Sequence, residues 1–200
     1  MSRLARSATA VCNRQHTHDA EFSWREHGNS VAGGVAVFAE EGCEMVDWAK
    51  LVPGGPWTAI NLERVYTVGM TADVAVPVTE SSDALASYQA LGKWSDTDLY
   101  ASRYVLDYPR QTFRLGGRFR LTSALTLNIW QELDLYADNP TRDGTSVSPA
   151  AGVELRWQPL RREKMEIAIG MVDPWNSHFE TYPGQPAAGS RGYASGKFEW

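Results

Sequence analysis

From Leu125 onward the chain alternates. Leu125, Leu127, Ile129, Leu133 and Leu135 share one parity, interrupted only by Gln131, while Thr126, Asn128, Trp130, Glu132 and Asp134 share the other. A period of two predicts a strand, and the thirteen residues from Ala124 to Tyr136 would reach roughly 44 Å at ~3.4 Å each. Strands of soluble sheets usually run to about five or six residues. A tilted strand that crosses a bilayer needs about nine to eleven, apolar outward and polar inward. Glu132 and Asp134 on the polar parity suit a wet interior better than a dry core.

The same code recurs along the chain. Phe113, Leu115, Phe119 and Leu121 alternate with Arg114, Arg118 and Arg120. Between Ile60 and Val76 the even positions Ile60, Leu62, Tyr66, Val68, Met70, Ala72, Val74 and Val76 are apolar, and the odd ones include Asn61, Glu63, Thr67, Thr71 and Asp73. Val153, Leu155 and Trp157 alternate with Glu154, Arg156 and Gln158; Met165, Ile167, Ile169 and Met171 with Glu166, Ala168 and Gly170. The chain closes with Ala194, Gly196, Phe198 and Trp200 on one parity. One alternating strand would fit a half-buried soluble sheet, but several long ones carrying arginines on one face point to a barrel.

Strands are expected near 30–38, 60–76, 84–92, 111–121, 125–136, 149–159, 164–172 and 192–200. The links between them alternate in length: 39–59, 93–110, 137–148 and 173–191 are long, while 77–83, 122–124 and 160–163 are short. Short turns at one end and long loops at the other are the rhythm of outer-membrane barrels. The expected fold is therefore all-β, an antiparallel meander of about eight strands, forming an outer-membrane-type β-barrel or part of one. Residues 1–29 are expected to be an irregular segment and 30–200 the barrel domain.

Composition narrows this only a little. A net charge of −5 argues against nucleic acid as a partner, since such a footprint is basic. No apolar run approaches the length of a transmembrane helix, and mean hydropathy is −0.36, which leaves a barrel of half-apolar strands open. Eight Trp and eight Tyr fit the aromatic girdles of barrels and also the binding faces of sugar-binding sandwiches. Cys12 and Cys43 allow one bridge or two thiols. Met1 to Ala10 carries Arg3 and Arg6 without an apolar stretch, so no secretory signal is expected there.

Tyr108-Pro109-Arg110-Gln111-Thr112-Phe113-Arg114-Leu115, continuing through Arg118-Phe119-Arg120-Leu121, resembles a PR-x-T-x-x-L…Y-R-L stretch of TonB-dependent siderophore receptors. Leu125-Thr126-Leu127 to Trp130-Gln131 echoes the family's next strand, Gly152 to Trp157 the one after it, and Ile167 to Trp175 the penultimate one. The likeness covers roughly 84–200 and, more faintly, 30–83. It departs where the family has a glycine triplet, here Asn128 and Ile129, and where the penultimate strand has asparagines, here Gly170, Met171 and Val172. No plug domain or TonB-interaction box is recognised.

The resemblance implies the closing strands of a siderophore-receptor barrel in a bacterial outer membrane, with iron uptake as the inherited role and no enzyme activity. Trp48, Trp57, Trp94, Trp175 and Tyr182 would be loop residues on the side of a ferric siderophore. Arg114, Arg118, Arg120, Glu132, Asp134 and Arg156 would be charges of the lumen. Phe198 and Trp200 resemble the terminal pattern that outer-membrane proteins present to the barrel-assembly machinery; the lipid bilayer would be the other partner. A small structural or adhesive barrel, and a soluble sandwich or lipocalin-like binding module, remain as alternatives. His16-Thr17-His18-Asp19 could place two imidazoles on one strand face, but no third ligand cluster accompanies it, and no cofactor is called for. Glu132 and Asp134 lie about 7 Å apart along a strand; as a carboxylate pair they are better explained by the arginines around them than by catalysis.

Overall fold

The computed structural model describes residues 16–25, 31–143, 145–159 and 164–199. Among these residues only strands form: β1 (His16–Arg25), β2 (Ala32–Lys50), β3 (Thr58–Thr79), β4 (Ser82–Ser95), β5 (Ala101–Ser102), β6 (Pro109–Arg120), β7 (Leu125–Tyr136), β8 (Val147–Trp157), β9 (Lys164–Val172), β10 (Glu180–Tyr182), β11 (Gln185–Pro186) and β12 (Arg191–Glu199). One antiparallel sheet runs β1-β2-β3-β4-β6-β7-β8-β9-β12; β5 joins the edge of β2, and β10 and β11 pair separately. Among the described residues β1 and β12 do not pair, so the sheet stays open. The long connections, 51–57, 96–108, 137–146 and 173–190, gather at one end, the loop end. At the other end, β3 and β4 turn through Glu80 and Ser81, where the Thr79 hydroxyl accepts from the Ser81 amide at 3.2 Å. Between β6 and β7 the Thr122 hydroxyl accepts from the Leu125 amide at 3.0 Å, the side-chain mimicry by which Ser and Thr close tight turns.

Register carries the alternation from strand to strand. Phe119, Leu127, Leu155, Ile169 and Ala194 stand opposite one another in succession. So do Val35, Ala72, Tyr88, Phe113 and Leu133. A slip of one residue at any ladder would mix the faces, and none occurs between these rows. The apolar parities therefore fuse into one surface, which no second layer covers among the described residues. Leu115 remains 65% and Ile169 57% exposed, far more apolar surface than a soluble sheet leaves open. Gln131 lies on this surface too. Its amide nitrogen donates to the Ala150 carbonyl at 2.8 Å and to the Glu132 carbonyl at 3.2 Å, which removes most of the cost of a polar group there.

Several expected boundaries move. The segment expected to be irregular contains β1, paired with β2 from His16↔Glu41 to Arg25↔Ala32. The expected long link 39–59 is largely strand, because β2 runs on to Lys50. Glu40, Glu41 and Glu44 break the apolar alternation there, and Glu44 takes a positive φ of 55°. The link 93–110 contributes its first residues to β4 and two more to β5. Trp200 lies outside the described residues.

The buried core sits at the loop end rather than under the sheet. Past the stacked rings of Tyr66 and Trp94, whose centroids are 5.8 Å apart, the apolar band gives way to an ion pair, Arg64 with Glu41 at 3.6 Å. Beyond that point the 96–108 loop folds over β2 and β3, and Leu99, Val105 and Leu106 pack on Ile60, Leu62 and Val65. Asp47, fully buried, accepts from the Ser102 hydroxyl at 2.5 Å and the Tyr104 amide at 3.1 Å. Loop and sheet are thereby fastened across 55 residues of sequence.

Candidate functional site: the charged face and the loop end

Opposite the apolar surface, Arg114, Arg118, Arg120, Thr126, Asn128, Trp130, Glu132, Asp134, Glu154 and Arg156 share one face by register. The expected lumen charges do lie together. Arg114 pairs with Glu132 directly across the β6–β7 ladder. Arg120 reaches Asp83 at 3.3 Å, and Asp134 accepts from the Thr112 hydroxyl at 2.6 Å. Arg156 contacts Glu154 at 2.8 Å and Glu166 at 3.4 Å. Arg118 stands between Asp83 and Asn128 in the ladders. A cavity of 690 Å³ opens on this face, lined by Asp73, Ser87, Arg114, Arg118, Asn128 and Arg156 among others.

Two glycines make the face what it is. A Cβ on Gly152 would sit 2.3 Å from the Trp130 indole, and one on Gly170 would sit 2.5 Å from the Tyr193 ring. Without side chains there, both rings lie flat against the neighbouring strand. Tyr193 then donates its hydroxyl to Glu154 at 2.8 Å, and Arg114 stands 5.3 Å from the Trp130 ring centre.

At the loop end, three loops are sewn together. Asp107 and Arg142, 0% and 4% exposed at the side chain, meet at 2.5 Å. Arg142 also lies 3.9 Å from the Tyr136 ring centre and donates to the Glu180 carbonyl. The Asn139 amide donates to the Ser102 carbonyl at 2.6 Å and to Asp107 at 3.1 Å. Beside this knot runs a chain of rings and cations. The Lys50 ammonium is 5.2 Å from the Trp57 ring centre, and the Arg103 guanidinium is 5.8 Å from those of both Trp57 and Tyr104. Tyr104 meets Tyr182 edge-on at 5.0 Å.

The five expected ligand-side aromatics divide. Trp57 and Tyr182 belong to this chain of rings, linked through Arg103 and Tyr104. Trp48 and Trp94 are strand residues instead of loop residues. Trp48 lies on β2 between the buried Asp47 and Ala49 and is 46% exposed; Trp94 borders the apolar surface with Tyr66. Trp175 is 70% exposed in the turn after β9 and borders an apolar depression with Leu115, Phe119 and Val153. Phe198 lies on the apolar face of β12, 60% exposed. Lys50, Arg103, Tyr104, Asp107 and Arg142 carry no periodic signal in the sequence, and the contacts Arg103–Trp57, Tyr104–Tyr182 and Asp107–Arg142 join residues far apart along the chain. Among the described residues, no three His, Cys, Asp or Glu side chains gather as metal ligands.

No family model matches the sequence, and no curated protein sequence is similar to it. Solved structures are similar. A copper transporter, OprC, superposes with a TM-score of 0.62 over 92% of this chain and 31% of its own, at 12% identity. The fold is that of part of a TonB-dependent receptor barrel. The siderophore receptor PirA from Acinetobacter baumannii matches this chain over 92% of its length and 32% of PirA, at 11% identity and a TM-score of 0.55. A ferric enterobactin receptor mutant from Pseudomonas aeruginosa, solved in complex with enterobactin, matches over 91% and 31% at 11% identity and a TM-score of 0.58. This chain thus spans about a third of the length of each of these proteins.

Proposed function

We propose that this chain forms the closing strands of a receptor barrel in a bacterial outer membrane, serving uptake of a metal chelate such as a ferric siderophore, and that it is not an enzyme. The observation that carries this is the division of the sheet into an apolar surface, interrupted by Gln131, and an opposite charged face, on a fold like that of metal and siderophore receptors. In hydrocarbon an unpaired arginine costs several kcal/mol, and register keeps Arg114, Arg118, Arg120 and Arg156 off the apolar side. That side would meet the lipid bilayer, with Tyr66 and Trp94 at its border as interfacial rings. The loop end would face outward, and Trp57 and Tyr182 are the ligand-side residues best placed among those expected. Phe198 fits a strand offered to the barrel-assembly machinery.

Purification decides between this and a soluble binding module. The protein should require detergent, insert into liposomes and migrate differently on gels before and after boiling. A monodisperse monomer in buffer without detergent would sink the membrane reading in favour of a soluble sandwich.

A further inference from the structure

We propose that a hollow in the apolar surface, centred on Gln131, seats one acyl chain of a membrane lipid, and that the chain it takes carries a hydroxyl group. The site rests on the reading that this surface meets lipid. Gln131 interrupts the surface, and its amide nitrogen has two hydrogens to give. It donates to the Ala150 carbonyl at 2.8 Å and to the Glu132 carbonyl at 3.2 Å. Its own carbonyl oxygen accepts no hydrogen bond among the described residues. In hydrocarbon there is no water to supply one, and an acceptor left alone there costs free energy. A hydroxyl on a lipid chain is a donor that reaches this depth.

The surface sinks around Gln131 because small residues meet there. Gly117 stands between Ala84 and Ile129 in the ladders, and Ala151 stands opposite Gln131. A Cβ on Gly117 would come within 2.8 Å of the Phe119 ring, so that ring lies along the sheet across the glycine and forms a wall. Leu115 and Val153 line the hollow too, whose volume is about 790 Å³. It extends from Val78, just before the β3–β4 turn, to Trp175, in the turn after β9. Its ends therefore point toward opposite ends of the strands, which is the course of an extended chain standing in a bilayer. Trp175 is a ring of the kind that sits where hydrocarbon meets headgroups, which places the polar end of the lipid at the loop side. Dispersion contacts with the walls hold any chain. The Gln131 oxygen selects the hydroxylated one.

Native mass spectrometry of the full chain, released from non-ionic detergent, tests this by counting the lipids it retains. The probes are a phosphatidylcholine with saturated eighteen-carbon chains and three isomers that carry a hydroxyl at the third, seventh or twelfth carbon of one chain. One lipid should stay bound per protein. The isomer whose hydroxyl reaches Gln131 should be held about three- to tenfold more tightly than the parent lipid, the gain of one hydrogen bond. Gln131→Leu should bring all four lipids to the affinity of the parent. Ala84→Phe, which fills the hollow from an exposed position, should release all four. No isomer held better than the parent overturns the site, as does a preference that survives in Gln131→Leu. Should that variant lose its gel-mobility shift, Ala84→Phe decides, and undiminished retention there sinks the site. Detergent dependence is read on the chain without added lipid, so failure here leaves the receptor reading standing.

Discussion

Arg142 and Asp107, 35 residues apart, are joined by two hydrogen bonds, from Nη2 at 2.5 Å and from Nε at 3.3 Å. Both are almost wholly buried. The pair ties the loop before β6 to the loop after β7, and through the Glu180 carbonyl to β10. It is the strongest polar fastening of the loop end, because removing either partner strands a charge away from water.

Asp107→Ala should therefore cost about 3–5 kcal/mol, the usual penalty for breaking a buried pair. The double variant Asp107→Leu with Arg142→Met should cost less than Asp107→Ala alone. Urea unfolding followed by gel mobility measures both, and a larger loss in the double variant would contradict the pairing.

The Arg114–Glu132 pair is the contrasting case. Arg114 is 54% exposed at the side chain, so solvent screens the pair and its worth falls to about 0–1 kcal/mol. Glu132→Gln should leave the unfolding midpoint nearly unchanged. A shift as large as that of Asp107→Ala would mean that the charged face is covered in the folded protein.

Leu127→Arg and Thr126→Arg differ by one residue and should differ greatly in effect. Leu127 lies between Phe119 and Leu155 in the ladders, Thr126 between Arg120 and Arg156. A charge on the apolar side at mid-membrane costs about 2–4 kcal/mol, and one more cation on the polar side far less. Refolding yields into liposomes compare them; equal yields would refute the assignment of faces.

Gly152→Ala should destabilise by about 1–3 kcal/mol, the range for overfilling a packed site, since the new methyl meets the Trp130 indole at 2.3 Å. Trp130→Val in the same chain should recover most of the loss, and the double-mutant cycle measures the coupling. Additive effects would show that the ring does not lie over the glycine.

What the sequence disclosed depended on period. Ile60 to Val76 and Leu125 to Leu135 carry their faces in alternation, and both became strands whose apolar positions share one surface of the sheet. Residues 39–50 did not, because Glu40, Glu41 and Glu44 interrupt the apolar parity where β2 rises past the apolar band and no longer needs it. His16 to Arg25 reads as polar, and its strand is held by pairing to β2 more than by its own pattern. Trp57 and Tyr182 could be guessed as loop aromatics, whereas Arg103 gains its meaning only from rings that reach it from 46 residues before and one after. Contacts of that kind are set by how loops fold over the sheet, which no local period records.

The order of the sheet has a consequence for its neighbours. Among the described residues its path runs through nine strands, each reversed relative to the last, so β1 and β12 both travel from the loop end toward the tight turns. Two copies standing upright side by side would bring β12 of one against β1 of the other in the same direction, and parallel ladders are slanted and slightly weaker. Whatever joins both margins with antiparallel bonds must climb the other way and do so an odd number of times. The count of reversals thus acts as a polarity filter on assembly, favouring strands of opposite heading over a ring of identical subunits.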